Sequence, residues 1–269
     1  MEADTQKLSV LELAASPLAP GVSPVRIRYR DCGRGAPLVF LHGGWGYEVY
    51  PFDRQIAALA STHRIIIPDR SGYGGSSRVA SLATDFHDAA AAETLAVVDA
   101  LGLGRPALWG HSDGAVIAAL IGLRAPDRAS RLVLEAMHLY PRKPASREFF
   151  ASTAGDPDAV GDRLATILAH DHGDDWRRVI GRHSEAWLRL GKERTPGADF
   201  YGGRLRDLSP PTLLVHGARD PRTEPGELDA LCAQLSRAER LVLNDGAHSP
   251  HSERATADAV ARLATQFLS

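Results

Sequence analysis

Cysteine is scarce in this chain: only Cys32 and Cys232 occur in 269 residues, far apart. That excludes a disulfide scaffold, and no paired spacing suggests zinc or a dithiol redox motif. Both read as reduced thiols of a reducing compartment. An excess of one charge is missing too, because 31 Lys and Arg stand against 33 Asp and Glu for a formal net charge of -2. The arginines are interleaved with acids, so no long-range field draws nucleic acid or an anionic membrane, and the expected partner is a small molecule. No run approaches the roughly 18 consecutive apolar residues of a membrane span. The stretch "MEADTQKLSVLELAASPLAPG" has acids where a secretory leader carries bases, and Glu12 and Pro17 break its apolar part. A cytoplasmic chain is the expectation; the sequence sets no oligomeric state.

What is present is an alternation. From residue 25 onward, short β-branched or apolar runs trade places with longer alanine- and leucine-rich segments, the pattern of a parallel sheet with crossover helices. The strand candidates are "VRIRYR" (25–30), "PLVFLH" (37–42), "RIIIPD" (64–69), "PALWGH" (106–111), "RLVLEA" (131–136), "TLLVHG" (212–217) and "RLVLND" (240–245). Arg26, Arg28 and Arg30 share one side of the first, which predicts an edge or one-sided strand, whereas 64–69 and 212–217 read as buried on both faces. Helices are expected over 52–61, 85–101 after a Thr84 cap, 113–124, 226–236 and 253–268. Residues 138–207 contain no sheet-like strand. A structureless loop of that length is implausible inside a compact domain, so this stretch is read as a small helical insertion, a lid, between core segments 1–137 and 208–269.

Chemistry concentrates at "LWGHSDGAVIAALIGL" (108–123). Gly110, Ser112 and Gly114 fit a G-x-S-x-G nucleophile elbow, with strand-like residues before and helix-like residues after. Lacking Cβ atoms, the glycines let strand and helix approach closely enough to thrust the hydroxyl above the sheet, beside the amides of a helix N-terminus. A serine needs a base held by a carboxylate. "LLVHGARD" ends a strand at Asp220 and "LVLNDGAHS" ends another at His248. All three side chains would then emerge at the carboxyl edge of one sheet, where ligand sites of open parallel sheets collect. His248 would take the Ser112 proton and Asp220 would fix its tautomer. The oxyanion donors are expected to be the Asp113 amide and, from the glycine-rich "FLHGGWG", the Gly44 amide, with Trp45 as the alternative.

Together, "HGGWG" (42–46), "PDRSGYGGSS" (68–77), "GHSDG" (110–114), "GARD" (217–220) and "GAHSPHSE" (246–253) resemble the α/β-hydrolase family over nearly the whole chain. The resemblance implies an α/β fold with a mostly parallel eight-stranded sheet flanked by helices, a lid after the sixth strand, and neither organic cofactor nor metal. Ala115 departs from it, since a second glycine is common there. The chemistry expected is that of a serine hydrolase cleaving a small ester, thioester, lactone or amide. A carbon–carbon hydrolase of the meta-cleavage type, a proline iminopeptidase-like aminopeptidase and a ligand-binding protein on a hydrolase scaffold are the alternatives.

Several residues carry rival readings. His251 is the second candidate base, or else caps a helix or faces solvent. Glu135 sits where some relatives place the triad acid, or else hydrogen-bonds near the pocket. His138 is a pocket residue or the first of the lid. His42, His111 and His216 are expected to satisfy backbone carbonyls. "HDHGDD" (170–175) reads as a turn with Gly173 as cap, not as a metal site. Trp176 and Trp187 form the core of the lid or line a substrate tunnel. The Asp113 side chain is unusual, because a carboxylate opposes negative charge developing beside it. It either selects substrates with a cationic amine near the scissile carbonyl, or caps the helix, or pairs with a lid arginine.

Overall fold

The computed structural model describes residues 7–269, so the first six residues of the acidic stretch quoted above lie outside it. Eight strands form one sheet: β1 (Lys7–Leu13), β2 (Val25–Gly33), β3 (Ala36–Leu41), β4 (His63–Pro68), β5 (Ala107–His111), β6 (Leu132–Glu135), β7 (Thr212–Gly217) and β8 (Glu239–Leu243). Their spatial order is β1-β2-β4-β3-β5-β6-β7-β8. The pairs β1/β2 and β2/β4 are antiparallel and the rest parallel. Every strand expected from 25 onward is present, within a few residues at its ends. β1 was not anticipated, and it changes one reading: β2 is not the edge, because β1 covers it. Of the β2 arginines, Arg26 is exposed and Arg28 half-buried, while Arg30 is buried against Asp69 and Glu48.

Two layers of helix explain the doubly buried strands. Along β4, Ile65 and Ile67 face one core and Ile66 the other. Alternate side chains of a strand point to opposite faces, so both faces need cover. On one face lie α1 (Asp53–Leu59) and α8 (Ala257–Leu268), packing Phe52, Ile56, Val260 and Phe267 on Phe40 and Trp109. On the other lie α2 (Phe86–Ala100), α3 (Asp113–Arg124) and α7 (Glu227–Gln234). α3 begins and ends where its periodicity predicts. The Thr84 cap is corrected: Asp85 is the N-cap residue of α2, and the Thr84 hydroxyl instead donates to Glu193. α8 starts four residues later than expected, because 249–256 form turns around the buried Ser249 and His251.

Between β6 and β7 the chain forms α4 (Arg147–Gly155), α5 (Asp162–His172) and α6 (Trp176–Glu193), with no strand. Hydrogen bonds to the core hold them down. Asp171 accepts from the Tyr47 and Glu48 amides and pairs with Arg28; Arg182 donates to the Val79 and Gly72 carbonyls. Gly173 closes α5 at φ 63°, as a C-terminal glycine should. His172 bonds the Trp45 carbonyl and the Gly74 amide, so the "HDHGDD" side chains at 171 and 172 are committed to the core. No helix among the described residues is long and apolar enough to cross a membrane.

Candidate active site

Ser112 sits between the end of β5 and the start of α3 with φ 55° and ψ -119°. A non-glycine residue there costs roughly 1–3 kcal/mol, which the surrounding structure must offset. The flanking glycines make the turn possible. A Cβ on Gly110 would collide with the Gly114 carbonyl, and one on Gly114 with the Leu41 carbonyl. The strain lifts Ser112 Oγ to the carboxyl edge of the sheet, where His248 and Asp220 arrive from the loops after β8 and β7.

The three groups form a continuous chain. His248 Nδ1 is 2.9 and 3.0 Å from the two Asp220 oxygens, and its Nε2 is 3.0 Å from Ser112 Oγ. A proton on Nδ1 donates to the carboxylate, which leaves Nε2 to accept from the hydroxyl. Burial pushes the Asp220 carboxyl up, but His248, the Arg222 amide and His216 together outweigh it and hold the carboxyl well below the ordinary carboxylate range. The Arg222 amide, 2.8 Å from Asp220 Oδ1, helps fix the carboxylate in place.

His138 joins the cluster from the loop after β6. Its Nε2 is 3.2 Å from Ser112 Oγ, and its ring stacks on His248 with centroids 5.8 Å apart. Burial drives its pKa well below 6.5, so at neutral pH it is an uncharged imidazole, and with the Ser112 proton directed at His248 a proton on His138 Nε2 would donate to the serine oxygen. His251 has another place. It is fully buried, neither capping a helix nor in solvent, with Nδ1 2.9 Å from Glu135 Oε1 and Nε2 3.0 Å from the Tyr50 carbonyl. Glu135 also accepts from the Trp109 indole and the His251 amide, so it ties the last loop to the sheet beneath the site. His111 bonds the His248 carbonyl, and burial lowers its pKa to about 3. His42 bonds the Gly43 carbonyl; His216 departs from expectation and faces the Thr223 hydroxyl.

The glycine-rich loop after β3 is oriented by a residue that no rule singled out. Arg70, from "PDRSGYGGSS", donates to the His42 carbonyl and, at 2.8 Å, to the Gly43 carbonyl. A trans peptide points its N–H opposite to its C=O. The Gly44 amide is therefore aimed away from Arg70, and Gly44 lines the cleft above Ser112. At the start of α3 the Asp113 amide has no partner one turn back, as at any helix N-terminus.

The Asp113 carboxylate neither caps α3 nor pairs with a lid arginine. Its Oδ1 is 3.0 Å from His87 Nε2 of α2, and its Oδ2, without a hydrogen-bond partner, is 3.7 Å from His183 Nδ1 of α6. Burial raises its pKa, but the two histidines and Arg70 outweigh that and the net shift is downward. Nothing in the spacing of His87 and His183 announces this meeting, because α2, α3 and α6 come together only in three dimensions. Trp45, His138 and Trp187 line the cleft as well, with Phe149 and Phe150 of α4 and Arg222 opposite. The space they enclose is about 510 Å³, with the opening to solvent included. Trp176 instead packs with Leu168 and Ile180 in the core of the insertion. Among the described residues, no group of three His, Cys, Asp or Glu side chains is placed to hold a metal ion.

A family model described as the alpha/beta hydrolase fold matches residues 36–255. The chain belongs to the α/β-hydrolase fold family. Within that family it is a hydrolase by kinship. It is 34% identical over 253 residues to a 2-hydroxymuconate semialdehyde hydrolase of Pseudomonas sp., covering 86% of this chain and 87% of that one. It is 28% identical over 251 residues to a pimeloyl-[acyl-carrier protein] methyl ester esterase of Nitrosomonas europaea, covering 83% and 93%. Among solved structures, an enol-lactonase from Burkholderia xenovorans superposes with a TM-score of 0.69 at 20% identity, over 94% of this chain and 99% of that chain. A thermophilic esterase from Thermogutta terrifontis gives 0.72 at 22% identity, over 97% and 98%. These two structures bear on the fold alone.

Proposed function

We propose that this hydrolase cleaves a small ester, thioester or lactone through an acyl-enzyme on Ser112. The observation that carries the reading is the Ser112–His248–Asp220 chain, two hydrogen-bonded steps of about 3 Å opening into one cleft. His248 takes the Ser112 proton as Oγ attacks the carbonyl, and the Asp113 and Gly44 amides receive the developing oxyanion. The imidazolium, stabilised by Asp220, then protonates the leaving group. Water repeats the sequence to free the acid. Neutral His138 keeps a second hydrogen bond on Ser112 Oγ and, with Trp45 and Asp113, walls the substrate side. Residues 138–207 act as the lid over the core formed by 1–137 and 208–269.

The test is hydrolysis of short p-nitrophenyl esters by the wild type and by Ser112→Ala, each checked for folding by circular dichroism. Turnover is expected to fall by about 10⁶-fold in the variant; equal turnover would remove Ser112 from the mechanism. The same assay on α-amino esters with Asp113→Asn asks whether the unpartnered Oδ2 selects cationic amines. Similarity to the 2-hydroxymuconate semialdehyde hydrolase supports a second reading, carbon–carbon cleavage with the same residues. Bleaching of coloured dienoate substrates by the wild type, lost in Ser112→Ala, would favour it.

A further inference from the structure

A second groove lies beside the catalytic cleft, between the loop at 142–144, α4 and the end of α6. It is lined by Arg142, Lys143, Arg147 and Lys192 among small and apolar residues, with no acid in its wall, and encloses about 1170 Å³ with its opening to solvent included. Such a concentration of cations is unexpected in a chain of formal net charge -2. Lys143 is already neutralised by Glu227, and its Nζ also donates to the Arg222 carbonyl. Arg142, Arg147 and Lys192 are exposed and form no ion pair among the described residues. Three uncompensated cations around one concavity set up a local positive potential strongest for an anion held among them.

The groove adjoins the cleft across a shared wall. Lys143, Phe150 and Trp187 line both. Phe150 and Trp187 stack with centroids 5.4 Å apart and planes 4° from parallel, so this ring pair is the partition. Trp187 in turn meets the His138 ring at 5.2 Å, and His138 touches Ser112 Oγ. The cationic groove therefore begins one side chain away from the nucleophile's own neighbour. A substrate long enough to pass the ring pair would place its far end among the three cations.

We propose that the groove is a subsite for a carboxylate at the far end of the substrate, so that the preferred substrates are esters with an anionic tail. This rests on the reading of Ser112 as the nucleophile of an ester hydrolase. An apolar spacer would run along the Phe150–Trp187 face, and the carboxylate would settle on Arg147, Arg142 and Lys192. Attraction by exposed cations is screened by salt, so the preference should shrink as ionic strength rises.

The experiment compares monomethyl and dimethyl esters of succinic, adipic and suberic acids, with proton release as readout, for the wild type and for Arg147→Glu/Lys192→Glu. A second probe set carries the carboxylate on the alcohol side. The expected result is that kcat/KM for the monoanion exceeds that for the neutral ester by about five- to tenfold at one chain length. The ratio should fall to one or below in the double variant and recover in Arg147→Lys. The probe set that shows the preference identifies which side of the scissile bond enters the groove. A ratio near one in the wild type for both sets, or one that the double variant leaves unchanged, overturns the proposal. Should the neutral esters also fail while p-nitrophenyl acetate is not cleaved, the ester hydrolase reading itself has failed, a different result from neutral turnover without preference.

Discussion

At the residue scale, the proposed triad depends on one imidazole having a fixed tautomer. Asp220 is held ionised by its neighbours, so it always accepts from His248 Nδ1 and leaves Nε2 bare toward Ser112. Asp220→Asn keeps the volume but presents an amide that can donate, which stabilises the wrong tautomer. A loss of about 10⁴ in kcat is expected, with the melting temperature little changed. Steady-state kinetics on p-nitrophenyl acetate measure it, and a loss under tenfold would mean that another group orients His248. The residue scale also shows how similar histidines diverge. His248 and His251 are three positions apart, yet one faces Asp220 and the cleft while the other is locked against Glu135 and stacks on Phe52.

Among the elements, the crossing of β5 and α3 decides whether the site exists. Gly114 passes so close to the Leu41 carbonyl of β3 that no side chain fits between them. Gly114→Ala forces helix and sheet apart at the point where Ser112 is strained. A destabilisation of about 2–3 kcal/mol is expected, on the scale of overpacking in a close-packed core, together with loss of esterase activity. Urea denaturation reads the first and p-nitrophenyl ester turnover the second; an unchanged urea midpoint would show that the elbow has more room than its geometry implies. The insertion behaves as an element of its own. α6 reaches the core through Arg182, contributes His183 and Trp187 to the cleft, and presents Lys192 to the neighbouring groove.

For the whole molecule, buried neutral histidines set the acid limit of stability. Burial lowers the pKa of His183 to about 4 and of His111 to about 3, and pushes His42 and His138 well below 6.5. In the unfolded chain each returns to about 6.5. Below that pH the unfolded state binds more protons than the folded one, so stability is fully present above about pH 6.5 and falls as pH drops toward the folded values. Each histidine contributes up to about 1.4 kcal/mol per pH unit in that window. Calorimetric melting should show a flat temperature between pH 7 and 8 and a steady decline from pH 6.5 to 4.5. A melting temperature that holds to pH 4.5 would mean these imidazoles are not buried in their neutral form.

The sequence by itself determined what is local. The 2-residue and 3.6-residue periodicities gave the strands from 25 onward and the position of α3, and turn chemistry gave the elbow at 110–114 and the strand-end positions of Asp220 and His248. These follow from short-range sterics and from which faces must be buried, and both are written in neighbouring residues. β1 escaped because an exposed edge strand has only one face to bury and shows a weak pattern, Leu8 and Val10 facing water. Only the tertiary structure decided what the remaining side chains meet: His87 and His183 on Asp113, Arg70 on the glycine loop, His138 on Ser112 and the cations around the second groove. Those pairings join residues far apart in sequence, 70 positions in the case of Asp113 and His183. They are fixed by how three helices and a sheet pack in space, not by any spacing along the chain.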